Sequence, residues 1–151
     1  MHEENKRLAQ RWFEEVWNLG LEQSIDELLA EDGVGFGLAE SGTPVRGPEQ
    51  IKPFVRNLRE AFPDLHITIE DLVAEGDRVV VRFSATGSHK GNGLGFPPTG
   101  RPMNVTGMTI LQIANGKLRH GWNNWDQLGM MQQLGVAPAA VRVNEFLRKR
   151  A

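Results

Sequence analysis

The sequence predicts an α+β domain, in which helices come first and cover a curved antiparallel sheet. Before Leu65 the apolar residues recur at three- and four-residue spacing, whereas from Leu65 onward they alternate with polar residues. The predicted strands follow one another without intervening helices, so the βαβ alternation of a parallel sheet is missing. The 151 residues are expected to form one domain, with a core at about 5–135 and a C-terminal helical extension at 136–151.

Three helices are predicted ahead of the sheet. The first runs from Glu4 to Trp17, a shorter one covers 21–29, and a third starts at Gly47-Pro48, where proline suits the first helical turn. The apolar residues of the first helix all fall on one face: Leu8, Trp12, Phe13, Val16 and Trp17.

The remaining segments have weaker or shorter patterns. Glycines alternate with apolar residues over 33–38, which favours a weak, bent strand. Residues 40–46 are expected to form an exposed loop, and 91–101, rich in glycine and proline, another. A short helix is predicted at 127–134, and a last amphipathic segment at 139–150.

A β-hairpin is the strongest local prediction. The strand 103–113 leads through Asn115-Gly116 into a second strand that ends near Asp126. Asn-Gly favours a type I′ turn, because both central residues must take positive φ. With those two residues as the loop, Thr109 pairs with Trp122, and Asn124 and Asp126 continue along the same face. That face is the more apolar one near the turn, so we expect it to point inward.

Asp126 is therefore the leading candidate for chemistry. A carboxylate inside an apolar pocket has its charged form disfavoured, which moves it toward the range of a general base. The alternative is a helix N-cap, since Asp126 directly precedes the short helix that begins at Gln127. The two roles do not exclude each other.

Histidines are the next candidates. His89 shares a strand face with Val81 and Phe83, so it could act as a proton shuttle at the pocket; alternatively, it bonds the backbone of the loop that follows. His120 lies six residues before Asp126, about 20 Å along a straight strand, which excludes a direct pair. The residues expected to contact a substrate are Asn124, Trp122, Trp12, Phe36, Phe83, Thr109 and Arg101.

Composition narrows the classes of function. A net charge of −2 and a pI near 6.1 give no electrostatic reason to expect nucleic acid or an anionic membrane as a partner. There is no cysteine, and the four histidines show no i, i+4 pair, so no metal site is predicted. No apolar run approaches the ~20 residues of a membrane span. The charged N-terminus does not resemble a signal peptide, so we expect a cytoplasmic protein.

Several stretches together carry a family resemblance. They are Arg11–Asn18, Ala61–Leu65, Glu70–Val80, Gly87–His89, Phe96–Arg101 and Trp122–Gly129. Over about 5–135 the chain resembles the SnoaL-like polyketide-cyclase or ester-cyclase domains of the nuclear-transport-factor-2-like superfamily. The resemblance implies a conical sheet around an internal pocket. It also implies acid/base catalysis without metal or cofactor, with the family's aspartate corresponding to Asp126.

The expected function follows from this resemblance. It is cofactor-free acid/base chemistry, such as an aldol-type cyclisation, on a small hydrophobic carbonyl compound. Alternatives are a non-catalytic pocket for a small apolar molecule, an epoxide-hydrolase-like enzyme, and a cavity filled by side chains. A homodimer through the outer sheet face is expected as well, because Met108, Ile110 and Trp125 would make that face partly apolar.

Overall fold

The computed structural model describes residues 2–39 and 42–138, so the helical segment predicted at 139–150 lies outside the described residues. Helices pack on one face of a six-stranded sheet, as the α+β prediction requires. In chain order the elements are α1 (His2–Arg11), a π-helical segment (Trp12–Asn18), α2 (Glu22–Leu28), β1 (Leu29–Phe36), β2 (Val45–Arg46), α3 (Gly47–Ala61), β3 (His66–Glu75), β4 (Arg78–Ser88), β5 (Pro102–Ala114), β6 (Lys117–Trp125) and α4 (Gln127–Gln133).

The sheet has the order β2-β1-β6-β5-β4-β3 and does not close into a barrel. Its neighbouring strands are antiparallel except for β1 and β6, which run parallel. Register shifts interrupt three of the pairings: β1–β6, β3–β4 and β5–β6. Such bulges bend strands and increase twist, which lets the sheet curve around the helices.

The helices meet their predicted positions with one local change. The last part of the first helix, Trp12–Asn18, is π-helical, and its apolar residues Trp12, Phe13, Val16 and Trp17 are all buried. Of the segment predicted as a strand at 33–38, residues 33–36 form the end of a longer strand that starts at Leu29, and residues 37–38 lie beyond it. Residues 45–46 form a short strand against β1 rather than the end of a loop. The described chain contains no helix of sufficient length and hydropathy to cross a membrane.

The predicted hairpin turn is confirmed, but its register fails two residues later. Asn115 has φ 53° and Gly116 φ 72°, and Ala114 pairs with Lys117. Ile113 pairs with Leu118, yet Gln112 pairs with His120, so Arg119 has no partner across the ladder. A one-residue bulge moves every later side chain of β6 to the opposite face. The predicted orientation of β6 from His120 onward is therefore wrong.

Candidate functional site

A cavity of about 70 Å³ lies between the concave face of the sheet and the helices. Its wall is almost entirely apolar, as expected for the interior of a curved sheet covered by amphipathic helices. The wall residues are Phe13, Trp17, Leu38, Phe54, Leu58, Leu65, Ile67, Phe83, Ala85, Met103, Val105, Thr109, Asn123, Trp125 and Met130.

The aromatic part of the wall depends on a glycine. Phe13 of the π-helical segment meets Phe83 of β4 at 5.5 Å between ring centroids. Gly107 lies beside them on β5, where a Cβ atom would come within 2.6 Å of the Phe83 ring and 2.8 Å of the Trp125 Cβ. Because glycine has no side chain, Gly107 leaves room for Phe83 and Trp125 to pack at the cavity.

The polar atoms of the wall include one hydrogen-bonded pair. Thr109, only 3% exposed, faces Asn123 across β5 and β6, and its Oγ1 lies 2.8 Å from Asn123 Oδ1. Asn123 Nδ2 in turn donates to the backbone carbonyl of Phe36 at 2.9 Å. The pair therefore ties three strands together inside an apolar enclosure.

Asn123 also borders a second, smaller cavity of about 30 Å³. The two cavities share Trp17, Leu38 and Asn123 as a common partition. Trp12, which the sequence suggested as a substrate contact, lines this smaller cavity and meets Trp17 edge-on at 6.5 Å.

A groove of about 370 Å³ lies on the solvent side of the larger cavity. Asn57, Gly93 and Leu94 help to line it. The groove and the cavity share the side chains of Leu38, Phe54, Leu58, Trp125 and Met130. These five side chains therefore stand between the cavity and the groove.

Asp126 does not line the cavity. It is exposed and caps α4, with its Oδ1 accepting a hydrogen bond from the backbone N–H of Gly129 at 2.8 Å. The predicted inward position is wrong because the bulge at Arg119 shifts the face of β6. The alternative role as a helix cap is confirmed. Asp126 nevertheless directly follows Trp125, a wall residue.

The same bulge puts the predicted substrate contacts of β6 on the outer face. Trp122 stacks on Phe36 at 6.1 Å between ring centroids, and the guanidinium carbon of Arg78 lies 5.1 Å from the Trp122 ring. Asn124 is exposed opposite Met108. The predicted cavity positions of Trp122, Phe36 and Asn124 are therefore wrong, whereas those of Phe83 and Thr109 are confirmed.

His89 is fully buried, but it serves the loop rather than the cavity. The backbone N–H of Thr99 donates to His89 Nδ1 at 3.1 Å, and the Thr99 hydroxyl lies 3.1 Å from the same nitrogen. Because an amide can only donate, Nδ1 is unprotonated and the proton of the neutral ring is on Nε2. Its ring packs between Phe62 and Phe96. The inward position is wrong, and the predicted bonding to the following loop is confirmed.

Arg101 also lies away from the cavity. Its side chain packs against Gly135, just beyond α4, where a Cβ atom would come within 2.6 Å of the Arg101 Nη1. His120, which the spacing excluded from a pair with Asp126, is bonded to Gln112 on the outer face at 2.9 Å. The predicted place of Arg101 at the pocket mouth is wrong.

One further carboxylate adjoins the wall. Asp64 directly precedes Leu65, and its Oδ1 accepts a hydrogen bond from the backbone N–H of Ser88 at 2.7 Å. That bond lowers the pKa of Asp64 below its ordinary value. Asp64 therefore ties the end of β4 to the start of β3 as a stable anion.

Several wall residues were not predicted as site residues: Phe13, Trp17, Asn123, Trp125 and Met130. Phe13 and Trp17 were assigned to the core face of the first helix, and nothing in the pattern distinguishes a cavity wall from a packed core. Asn123 and Trp125 alternate with the residues that were chosen. Only the bulge makes the difference. Among residues 2–39 and 42–138, no three His, Asp or Glu side chains are placed to hold a metal ion.

The fold and the cavity together define a class of protein, the α+β cone with an internal apolar pocket. A model of the SnoaL-like polyketide cyclase family matches residues 7–134, and the chain belongs to this family. It is 30% identical over 122 residues to the aklanonic acid methyl ester cyclase DauD of Streptomyces sp. (strain C5), covering 80% of this chain and 76% of that protein. The cyclase DnrD of Streptomyces peucetius is likewise 30% identical, with coverage of 80% and 84%.

Solved structures support the same assignment. A SnoaL-like protein of Jannaschia sp. CCS1 is 30% identical and superposes with a TM-score of 0.81, covering 90% of this chain and 94% of that one. TsrD from Streptomyces laurentii is 29% identical with a TM-score of 0.77 and coverage of 89% and 97%. These relatives share the cone fold of the superfamily.

Proposed function

We propose that the protein is a cyclase-type enzyme that encloses a small hydrophobic carbonyl compound and rearranges it by acid/base chemistry without a cofactor. The observation that carries the proposal is the apolar cavity inside a cone whose relatives include named ester cyclases. An apolar enclosure favours partition of a hydrophobic molecule from water and strengthens hydrogen bonds to its oxygens. Ring closure within one molecule then needs a proton to be taken from carbon and returned to oxygen.

The volume of the cavity and its access from solvent limit which substrates can bind. An engineered cavity of about 150 Å³ is enough to bind benzene, whereas this cavity measures about 70 Å³. A ring-bearing substrate therefore needs the wall to move. The side chains of Leu38, Phe54 and Met130 separate the cavity from the groove outside, so their rotation would join the two spaces.

Asp126 is our proposed base, acting from the rim. It lies directly after Trp125 and four residues before Met130, both of which line the cavity. Its carboxylate is held by Gly129 at 2.8 Å. A helix cap of this kind contributes about 1 kcal/mol, so substrate binding can supply the free energy needed to turn the carboxylate inward. His89 could contribute only through the loop that it holds.

The matched pair Asp126→Asn and wild type tests this role. Asparagine caps a helix as well as aspartate does, so the variant keeps α4 and loses only the base. With aklanonic acid methyl ester as the probe, we expect the rate of ring closure to fall by about 10²–10⁴-fold. Full activity in Asp126→Asn would remove Asp126 from the mechanism.

A second function is favoured by one specific observation. None of the described residues that line the cavity carries a carboxylate, an imidazole or an amine. Such a wall suits a protein that binds and holds a small apolar molecule without transforming it. Binding of the ester by the wild type without turnover would support this second function.

We also propose that the protein forms a homodimer through the outer sheet face. Met108 is 55% and Ile110 36% exposed there. The partly exposed stack of Phe36 and Trp122 lies beside them. Trp125, which was expected on this face, points into the cavity instead. Contiguous apolar surface of this kind is characteristic of interaction sites, and light scattering that gives the mass of one chain at micromolar concentration would contradict the proposal.

A further inference from the structure

The direction of the hydrogen bonds around Asn123 can be derived from its partners. The carbonyl oxygen of Phe36 can only accept, so the atom that faces it at 2.9 Å must be the amide nitrogen of Asn123. The amide oxygen is thereby directed at Thr109 Oγ1, 2.8 Å away. The Thr109 hydroxyl must therefore donate its hydrogen to Asn123, since an amide oxygen has none to give.

This direction leaves the pair without a free hydrogen. Thr109 has used its one hydroxyl hydrogen. Asn123 Nδ2 has two hydrogens; one points to Phe36, and the carbonyl of Gly121 is 3.4 Å away for the other. The acceptor positions still available to a ligand are the two lone pairs of Thr109 Oγ1 and the second lone pair of Asn123 Oδ1. Both groups can only accept.

We propose that the Thr109–Asn123 pair is the binding site for a hydroxyl group of the ligand, as in an alcohol, a phenol or an enol. An oxygen without a hydrogen would face two acceptors here and lose its bond to water, at a penalty of the kind paid by any unpaired buried polar atom. The other described wall residues with a nitrogen or oxygen in the side chain are Trp17 and Trp125, whose indole N–H groups can only donate. A carbonyl oxygen would have to turn to them.

This inference rests on the proposed function in one respect, because both require that the cavity admits a ligand. It goes further by assigning the polar end of that ligand. The pair lies where Asn123 borders both cavities, so a bound hydroxyl would sit at the partition, with its apolar part in the larger space.

Phenol and toluene are suitable probes, because they have the same shape and differ in one hydroxyl group. Dissociation constants are measured by NMR titration of the full chain, with the indole N–H groups of the wall residues Trp17 and Trp125, which every variant keeps, as reporters. The same titrations are made in Leu58→Ala, because Leu58 is a partly buried wall residue whose truncation widens the cavity. The quantity to compare is the ratio of the two affinities, since differences in hydration cancel between variants.

The variants separate the two acceptors. Thr109→Ser keeps the hydroxyl and should keep the ratio. In Thr109→Val the oxygen of Asn123 loses its donor and becomes a better acceptor, so the preference for phenol should rise. In Thr109→Val/Asn123→Val both acceptors are gone, and the preference should fall by about fivefold to tenfold.

The outcomes distinguish this inference from the proposed function. An unchanged ratio in the double variant, with both probes still bound, would overturn the inference and leave the cavity as a ligand site. If neither probe binds to the wild type or to Leu58→Ala, both proposals fail. If the double variant does not fold, a rise of the phenol preference in Thr109→Val supports the inference, because only the freed oxygen of Asn123 would cause it, and an unchanged or lower preference decides against it.

Discussion

The carboxylate of Asp126 is bonded to the backbone N–H of Gly129, three residues further along the chain, at 2.8 Å. The first N–H groups of a helix have no partner within the helix, so the cap supplies one. It also fixes where β6 ends and α4 starts, and hence where Met130 reaches the cavity wall.

Replacing the cap should separate its structural contribution from its proposed chemistry. Asp126→Ala is expected to lower the free energy of unfolding by about 1 kcal/mol, and Asp126→Asn by only a few tenths. Urea denaturation of the three proteins measures both values. Equal destabilisation by alanine and asparagine would show that the carboxylate charge, rather than the cap, stabilises this junction.

Gly107 should tolerate no side chain. In Gly107→Ala the new methyl would come within 2.6 Å of the Phe83 ring and 2.8 Å of the Trp125 Cβ, and such overpacking costs about 1–3 kcal/mol. Gly121→Ala on the adjacent strand is the control, because its methyl would meet Leu111 at an ordinary 3.4 Å. Thermal unfolding should rank Gly107→Ala well below Gly121→Ala; the reverse order would contradict this description of the wall.

His89 should hold the loop at 90–101 in place. His89→Leu leaves the N–H of Thr99 without its acceptor, and an unpaired buried group costs about 1–3 kcal/mol. Amide hydrogen exchange should accelerate at Thr99 and at Gly100, which donates to the His89 carbonyl at 2.8 Å. His66→Ala, at an exposed position on β3, serves as the control. Unchanged exchange at Thr99 in His89→Leu would contradict the assignment.

Glu15 should make stability depend on acid pH. Its carboxylate accepts hydrogen bonds from Arg11 at 2.6 Å and from Ser24 at 2.7 Å. These bonds, that of Arg11 first, lower the pKa of Glu15. A carboxylate with a lowered folded-state pKa stabilises the fold above its unfolded pKa of about 4.3, and this stabilisation is lost as pH falls from there through the folded value.

The comparison of Glu15→Gln with wild type measures this contribution. At pH 7 the variant should be less stable by about 1 kcal/mol, because the ion pair is partly exposed. The difference should shrink as pH falls below about 4. Glu14→Gln, which removes the same charge at the exposed neighbouring position, is the control variant. A difference that grows toward acid would have the wrong sign for this pKa shift.

The features that could be predicted from the sequence depend on residues that are close together in the chain. The Asn115-Gly116 turn was predictable because positive φ at both positions is required and is favourable for these residues. The inner face of β5 followed from alternation, and Thr109 is where that pattern puts it. The burial of Phe13 and Trp17 followed from helical spacing, even though the segment is π-helical.

Which side chains of β6 face the cavity could not be predicted, because the alternation of apolar and polar residues does not show where a bulge occurs. Both faces of this strand carry a tryptophan and an asparagine, so its pattern fits either register equally well. The bulge at Arg119 decides between the two registers, and it interrupts the pairing of β6 with both of its neighbours, β1 and β5. For Asp126 and His89 the residue types allowed two roles each, and in both cases the structural role is the one that the hydrogen bonds show.

The bulge at Arg119 has a consequence for how cavities in this fold can diversify. Loss of that one residue would exchange the two sides of the strand beyond it, bringing Trp122 and Asn124 inward and turning Asn123 and Trp125 to solvent. No residue type after the deletion would need to change. The gain or loss of a single codon near the turn could thus exchange the β6 residues that line the cavity in one step. Substitutions of the wall residues one at a time would need many steps to reach the same result.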